Sequence, residues 1–286
     1  NTLIGSQSGD GLIIDKDNVS VGYQSLSAAN AGARAVAIGK GALEVQQTEA
    51  YLTSVSYAAS GDASITHASS SSVQVGQLVT SDAAGIPSGA TVLSVTDSTH
   101  FELSANTTSS QTGATITLVG NNHAHNVAVG FKAGNAITTG TLNTLIGSSA
   151  GDALTTGGSN VAIGYEALTT EDTTGSSVAI GYRALRVQNT GSTSYNVAVG
   201  TLAGSALTTG TENTLIGGLA GDALTIGKHN VAVGYESLSS ADAGDFSVAI
   251  GHSALREQNG ASAGYNFYNT AVGYQAGKLV STAVQN

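Results

Sequence analysis

The chain has 286 residues, with nine Lys and Arg against nineteen Asp and Glu, for a formal net charge of −10. Charged residues make up 10% of it, against roughly 25% in an average globular domain; Gly reaches 38, and Cys, Met and Trp are absent. This balance, with no apolar run near the roughly 18 residues of a membrane span, excludes disulfide frameworks, thiol chemistry, spanning helices, basic nucleic-acid surfaces and disordered acidic tails.

The first element, Asn1-Thr2-Leu3-Ile4-Gly5, recurs along the chain. With the Gly that follows Val or Ile as anchor, the units fall at Gly5, Gly22, Gly39, Gly130, Gly147, Gly164, Gly181, Gly200, Gly217, Gly234, Gly251 and Gly273. Their spacings are 17, 17, 91, 17, 17, 17, 19, 17, 17, 17 and 22. A period this short, with β-branched residues at fixed offsets, predicts an all-β chain built as a parallel β-solenoid, or β-roll, of 17-residue rungs. Residues 1–45 form rungs, 46–122 an inserted module, and 123–286 rungs again. The chain lacks Met and begins in mid-cycle, so it reads as a mature product or a segment of something longer.

Each offset carries a chemical constraint. One residue before the anchor is Val or Ile, and three before is Val or Thr, so both point to one face of a strand. That face is the expected core. Four before is Asn in nine of the twelve units, a candidate amide ladder along the axis. The anchor, as at Gly130, Gly147, Gly164, Gly181, Gly200, Gly217, Gly234 and Gly251, marks a turn or a backbone approach that a Cβ would block. Three after is always Ala or Ser, which fits either a tight corner or a contact between chains. Further glycines at Gly140, Gly157, Gly210 and Gly227 suggest a second turn and two strands per rung. Four after the anchor, two Gly-type units alternate with two Leu-type units, a 70-residue cycle from Gly130 to Gly200.

The insertion changes character. Segments 48–60, 72–80, 91–95, 101–104 and 114–119 read as strands, with a turn at 85–89, which predicts a small β-sandwich or barrel. It breaks the monotony of the shaft and is the natural place for recognition.

Asn-Val-Ala-Val-Gly-Tyr-Glu-Ser-Leu (230–238) and Ser-Val-Ala-Ile-Gly-Tyr-Arg-Ala-Leu (177–185) resemble the head repeat of trimeric autotransporter adhesins, the YadA-like β-roll. The longer form at 143–157 is similar to repeats of bacteriophage tail-fibre and virion-appendage proteins, cyanophage ones in particular. Residues 85–92 and 101–104 also resemble small modules of phage structural proteins. The resemblance implies a homotrimer of parallel β-rolls. The 17-residue unit exceeds the usual autotransporter unit and favours the phage side. The expected role is a structural fibre on the virion, outside the cell, attaching to a host surface glycan or protein. Its other partners would be itself and further fibre or tail proteins, with no nucleic acid and no membrane insertion. The alternative is a bacterial trimeric surface adhesin or extracellular filament subunit.

Each candidate site also admits a plainer reading. His123 and His125, multiplied by three chains, would offer six imidazoles to a metal on the trimer axis; the plainer reading is a solvated linker. Tyr165 and Tyr182, with Glu166 and Arg183, suggest a sugar-binding aromatic ledge or, more simply, a ladder with an axial ion pair. Asp10, Asp152 and Asp222 recur too sparsely for a calcium loop and read as turn residues. The threonine pairs at 138–139, 155–156 and 208–209 are too interrupted for an ice-binding array. A glycan-depolymerase spike needs paired carboxylates, whereas the shaft carboxylates repeat with the lattice and the insert's Asp62, Asp82, Asp97 and Glu102 form no motif. The expectation is a non-enzyme without a cofactor.

Overall fold

The computed structural model describes residues 1–12, 17–27, 34–46, 49–58, 62–68, 73, 77–81, 83–119, 124–173, 175–241, 243–258 and 265–281. Strands β1 (Thr2–Ile4), β2 (Val19–Val21) and β3 (Val36–Ile38) precede the insert. The insert holds β4 (Glu49–Tyr57), β5 (Ser64–Thr66), β6 (Leu78–Ser81), β7 (Val92–Asp97), β8 (His100–Leu103) and β9 (Gln111–Val119). The rungs resume with β10 (Val127–Val129), β11 (Thr144–Ile146), β12 (Val161–Ile163), β13 (Val178–Ile180), β14 (Val197–Val199), β15 (Thr214–Ile216) and β16 (Val231–Val233). They end with β17 (Gly244–Asp245), β18 (Val248–Ile250), β19 (Tyr265–Asn266) and β20 (Thr270–Val272).

Twelve of these strands form one parallel sheet in the order β1-β2-β3-β10-β11-β12-β13-β14-β15-β16-β18-β20. Register never slips: Val161 pairs Val178, Ala162 pairs Ala179, and Ile163 pairs Ile180. β3 pairs directly with β10, so the insert leaves the stack unbroken. The chain is a parallel β-solenoid.

The core lies on the opposite strand face from the one expected. The middle residue of each strand points in: Ala128, Leu145, Ala162, Ala179, Ala198, Leu215, Ala232 and Ala249 are all fully buried. The flanking Val, Thr and Ile residues are half-buried or exposed, Ile146 at 38% and Ile216 at 39%. Strand alternation alone is symmetric between the two faces. The cross-section decides, because one rung holds only about one large aliphatic beside small residues. The alanines three after the anchor, such as Ala133 and Ala220, are likewise fully buried, so they are an internal corner.

Filler volume is shared between neighbouring rungs. A Cβ at Gly204 would come within 2.8 Å of Leu215 Cδ1, and one at Gly221 within 2.9 Å of Leu215 Cδ2. Leu145 occupies the same space beside Gly134 and Gly151. One inward Leu thus reaches the room left by two glycines and shares it with Ile137 at Gly134, Leu154 at Gly151 and Leu185 at Gly204, while Leu-type rungs fill it with Leu168, Leu185, Leu238 or Leu255.

Most rungs carry one three-residue strand instead of the expected two; near the end β17 and β19 add a short second pair, parallel like the first, and the rest is turns held by hydrogen bonds between rungs. Many turn residues adopt positive φ, which costs a non-glycine residue roughly 1–2 kcal/mol. The strain is offset by pairing. Leu202 (φ 59) donates its N–H to Tyr182 O at 2.8 Å, and Leu168 (φ 53) donates to Ala184 O at 3.0 Å. The anchor glycines sit at φ between 126 and 141, a mirror-β conformation that L side chains avoid.

The Asn column works chiefly through the main chain. Asn126 Oδ1 accepts the Asn143 N–H at 2.9 Å, while Asn143 Nδ2 donates to the second-turn carbonyl of Gly157 at 2.9 Å. Direct amide-to-amide steps also occur, Asn213 Nδ2 to Asn196 Oδ1 at 3.2 Å. Three rungs lack this Asn and carry Ala35, Ser177 or Ser247 there. Each has a fully buried Gln further along, Gln46, Gln188 or Gln258, which takes the next rung's Asn: Asn196 Nδ2 donates to Gln188 Oε1 at 2.8 Å. These are also the three rungs followed by connections longer than 17 residues.

The insert is a six-stranded antiparallel sheet in the order β6-β9-β4-β5-β8-β7. Its two edges exchange hydrogen bonds, Val79 N–H to Ala90 O and Val92 N–H to Gln77 O, both 2.8 Å, so the sheet curls back on itself. Sequence patterning had missed β5, whose Ile65 is buried beside Phe101, Leu103, Ile116 and Leu118.

Candidate functional site

The outward face of the twelve-stranded sheet is the most distinctive surface. Exposure alternates along each rung. In the Gly251 rung Phe246 is exposed, Ser247 buried, Val248 half-buried, Ala249 buried, Ile250 exposed, Gly251 half-buried and His252 exposed. Four outward columns therefore run along the shaft: five, three and one residue before the anchor, and one after it. The central two are β-branched; the outer two collect aromatics.

In the column after the anchor, Tyr165 stacks on Tyr182 with centroids 5.7 Å apart and planes 13° apart. Arg183 sits over both rings, 5.0 Å from the Tyr182 centroid, and its Nε lies 2.7 Å from Glu166 Oε2. The Tyr165 hydroxyl and then Arg183 hold the Glu166 carboxyl below its usual range. The carboxylate in turn raises the Tyr165 phenol. Stacked rings turn their edges outward, so the geometry is that of the ladder with an axial ion pair; a sugar ledge needs open ring faces.

Two further stacks went unnoticed in the sequence. His229 lies 4.7 Å from Phe246, and Phe246 5.2 Å from Tyr268, all five residues before their anchors. Tyr235, His252 and Tyr274, one after their anchors, follow at 5.3 and 5.4 Å with their planes tilted by 42° and 40°. Both stacks occupy the last three rungs. The signal was present as aromatics at one offset, masked by non-aromatic residues elsewhere in the column.

His125 is exposed in the first of these columns, with φ 47; His123 lies outside the described residues, as does Asp82. Among the described residues no three His, Cys, Asp or Glu side chains gather as a metal site would require. Thr138 and Thr155 hydroxyls donate to main-chain oxygens one rung on, Thr155 O and Asp172 O. Burial raises the carboxyls of Asp152 and Asp222. In the insert, Asp62 Oδ1 accepts the Ser64 N–H at 2.9 Å. Asp97 is held far below the usual carboxylate range by the Thr99 N–H and then by His100. A shallow groove of about 250 Å³ on the insert is lined by Ser56, Tyr57, Asp62, Ser64, Thr66 and Gln111 among others.

Comparisons with family models, curated proteins and solved structures return no match. The fold and the lattice define the class: this is a β-solenoid repeat protein with a small antiparallel β insert.

Proposed function

We propose that the chain is the shaft of a phage virion fibre or appendage. It would associate as a homotrimer and carry the 46–122 module for multivalent attachment to a host-surface glycan or protein. The observation that carries this reading is the outward β-branched face. A sheet of twelve strands at about 4.8 Å, each about 20 Å across its four columns, offers roughly 1,100 Å². A stable interface covers about 800 Å² per partner. The two central columns, about half of that area, form a continuous β-branched stripe, and an exposed apolar stripe of several hundred Å² marks an interaction surface. A rigid in-register shaft supports the mechanical part of the role, and a module inserted between two adjacent rungs supports the recognition part. Three weak contacts on one shaft gain through effective concentration.

Sedimentation of the purified protein is expected to give three chains per particle. Antibody labelling is expected to place it on intact virions. Removal of residues 46–122 is expected to abolish binding to host cells while leaving the oligomer intact. A monomer at micromolar concentration would overturn the reading, and labelling of a bacterial envelope instead of virions would move the protein to the adhesin class.

A further inference from the structure

We infer that the last three rungs carry an aromatic seam between copies of the chain. In it, His229, Phe246 and Tyr268 of one copy pack against Tyr235, His252 and Tyr274 of a second copy lying parallel and in register. The inference rests on the self-association proposed above and specifies which residues meet.

Both columns belong to the same outward face as the β-branched stripe, so a copy that covers the stripe reaches them. Tyr235 is 48% exposed, Phe246 39%, Tyr268 47% and Tyr274 74%, a large aromatic area for a solvated surface. Only here are both columns aromatic in three consecutive rungs. Elsewhere they are interrupted, by Leu142, Ser159 and Ser176 on one side and by Ser148, Thr201 and Gly218 on the other. Rotation about an axis parallel to the shaft sets one edge of the face against the opposite edge of its neighbour, at the same height. Rung-matched contact between the two columns follows from that symmetry. An antiparallel pair would set these rings against the first rungs, where the columns hold Asp17, Arg34 and Lys40. Taking the Asp17–Arg34 pair, 3.9 Å apart, and Lys40 out of water against aromatic edges is costly. Aromatics gathered at one end therefore select the parallel arrangement.

The chain contains no Cys, so introduced thiols report without background. The double variant Phe246→Cys with His252→Cys places thiols on both edges of one rung. They flank the extended Val248–Ile250 strand, which at about 3.3 Å per residue, with each thiol two residues beyond a strand end, keeps them beyond the roughly 7 Å limit for a disulfide within a chain. Oxidation is expected to link copies into a covalent ladder that ends at the stoichiometry found by sedimentation. Phe246→Cys alone is expected to give no link. The pair His229→Cys with Tyr235→Cys, one rung earlier, repeats the test if the first variant misfolds. An associated protein that stays unlinked in both double variants, or that links through Phe246→Cys alone, overturns the seam and leaves self-association standing. A monomeric parent protein overturns both.

Discussion

Gln258 Nε2 donates to Ser247 Oγ at 2.7 Å, and Gln258 Oε1 accepts Asn269 Nδ2 at 3.0 Å, with all three side chains buried. One amide thus bridges the place where the Asn column is interrupted. Replacing Gln258 with Ala removes two buried hydrogen bonds inside the shaft, one to the Ser247 hydroxyl and one from the Asn269 amide. Each such bond contributes about 0.5–1.5 kcal/mol. Gln258→Ala is expected to lower the denaturant midpoint accordingly, and Gln188→Ala to do the same at its own rung.

The anchor glycines face two penalties, one conformational and one steric. At Gly234 a Cβ would lie 2.5 Å from the Gly251 carbonyl oxygen; at Gly273 the nearest atom is Ala276 Cβ at 3.8 Å. Their φ values are nearly equal, 134 and 133. Gly273→Ala should cost only the backbone strain, about 1–3 kcal/mol. Gly234→Ala should cost clearly more and broaden the thermal transition. Equal losses in melting temperature would show that crowding contributes nothing.

Leu215→Ala empties space bordered by Gly204 and Gly221, neither of which has a side chain to fill it. A loss of about 2–5 kcal/mol is expected in chemical denaturation, in the range of buried Leu truncations. Leu145→Ala should behave alike.

Asp222 tests the pH response. Burial raises its carboxyl, and Oδ1 has no hydrogen-bond partner. A folded-state value above the unfolded one means that the native state holds the proton more tightly. The associated stability is present at low pH and lost as pH rises through the folded value. Asp222→Asn is expected to raise the melting temperature at neutral pH and to flatten its decline above about pH 4. A variant that loses stability at neutral pH, or whose melting temperature still falls with rising pH as steeply as the parent's, would contradict this.

The repeat made much of the architecture legible. A constant step of 17 with β-branched residues at fixed offsets leaves parallel, in-register stacking as the arrangement that repeats every environment. The presence of an insert between Gly39 and Gly130 followed from the one step of 91. Less of the surface was readable. The Glu166–Arg183 pair was visible because both residues share an offset, whereas His229, Phe246 and Tyr268 were overlooked because only part of their column is aromatic. The coupling of Gln188 to Ser177 spans eleven positions within a rung and shows itself only when the turn brings them to 2.8 Å.

The sequence by itself determined the period, the direction of stacking and the need for glycine at each anchor, because these follow from repetition and backbone sterics. Only the tertiary structure decided which side of each strand is the inside. Alternation labels two faces without ranking them, and the more β-branched face looked like the core. Closing a 17-residue rung leaves an interior about one leucine wide, so Ala162 and Leu215 turn inward and Ile163 and Ile216 turn out. That reversal leaves the apolar stripe on the surface of the shaft.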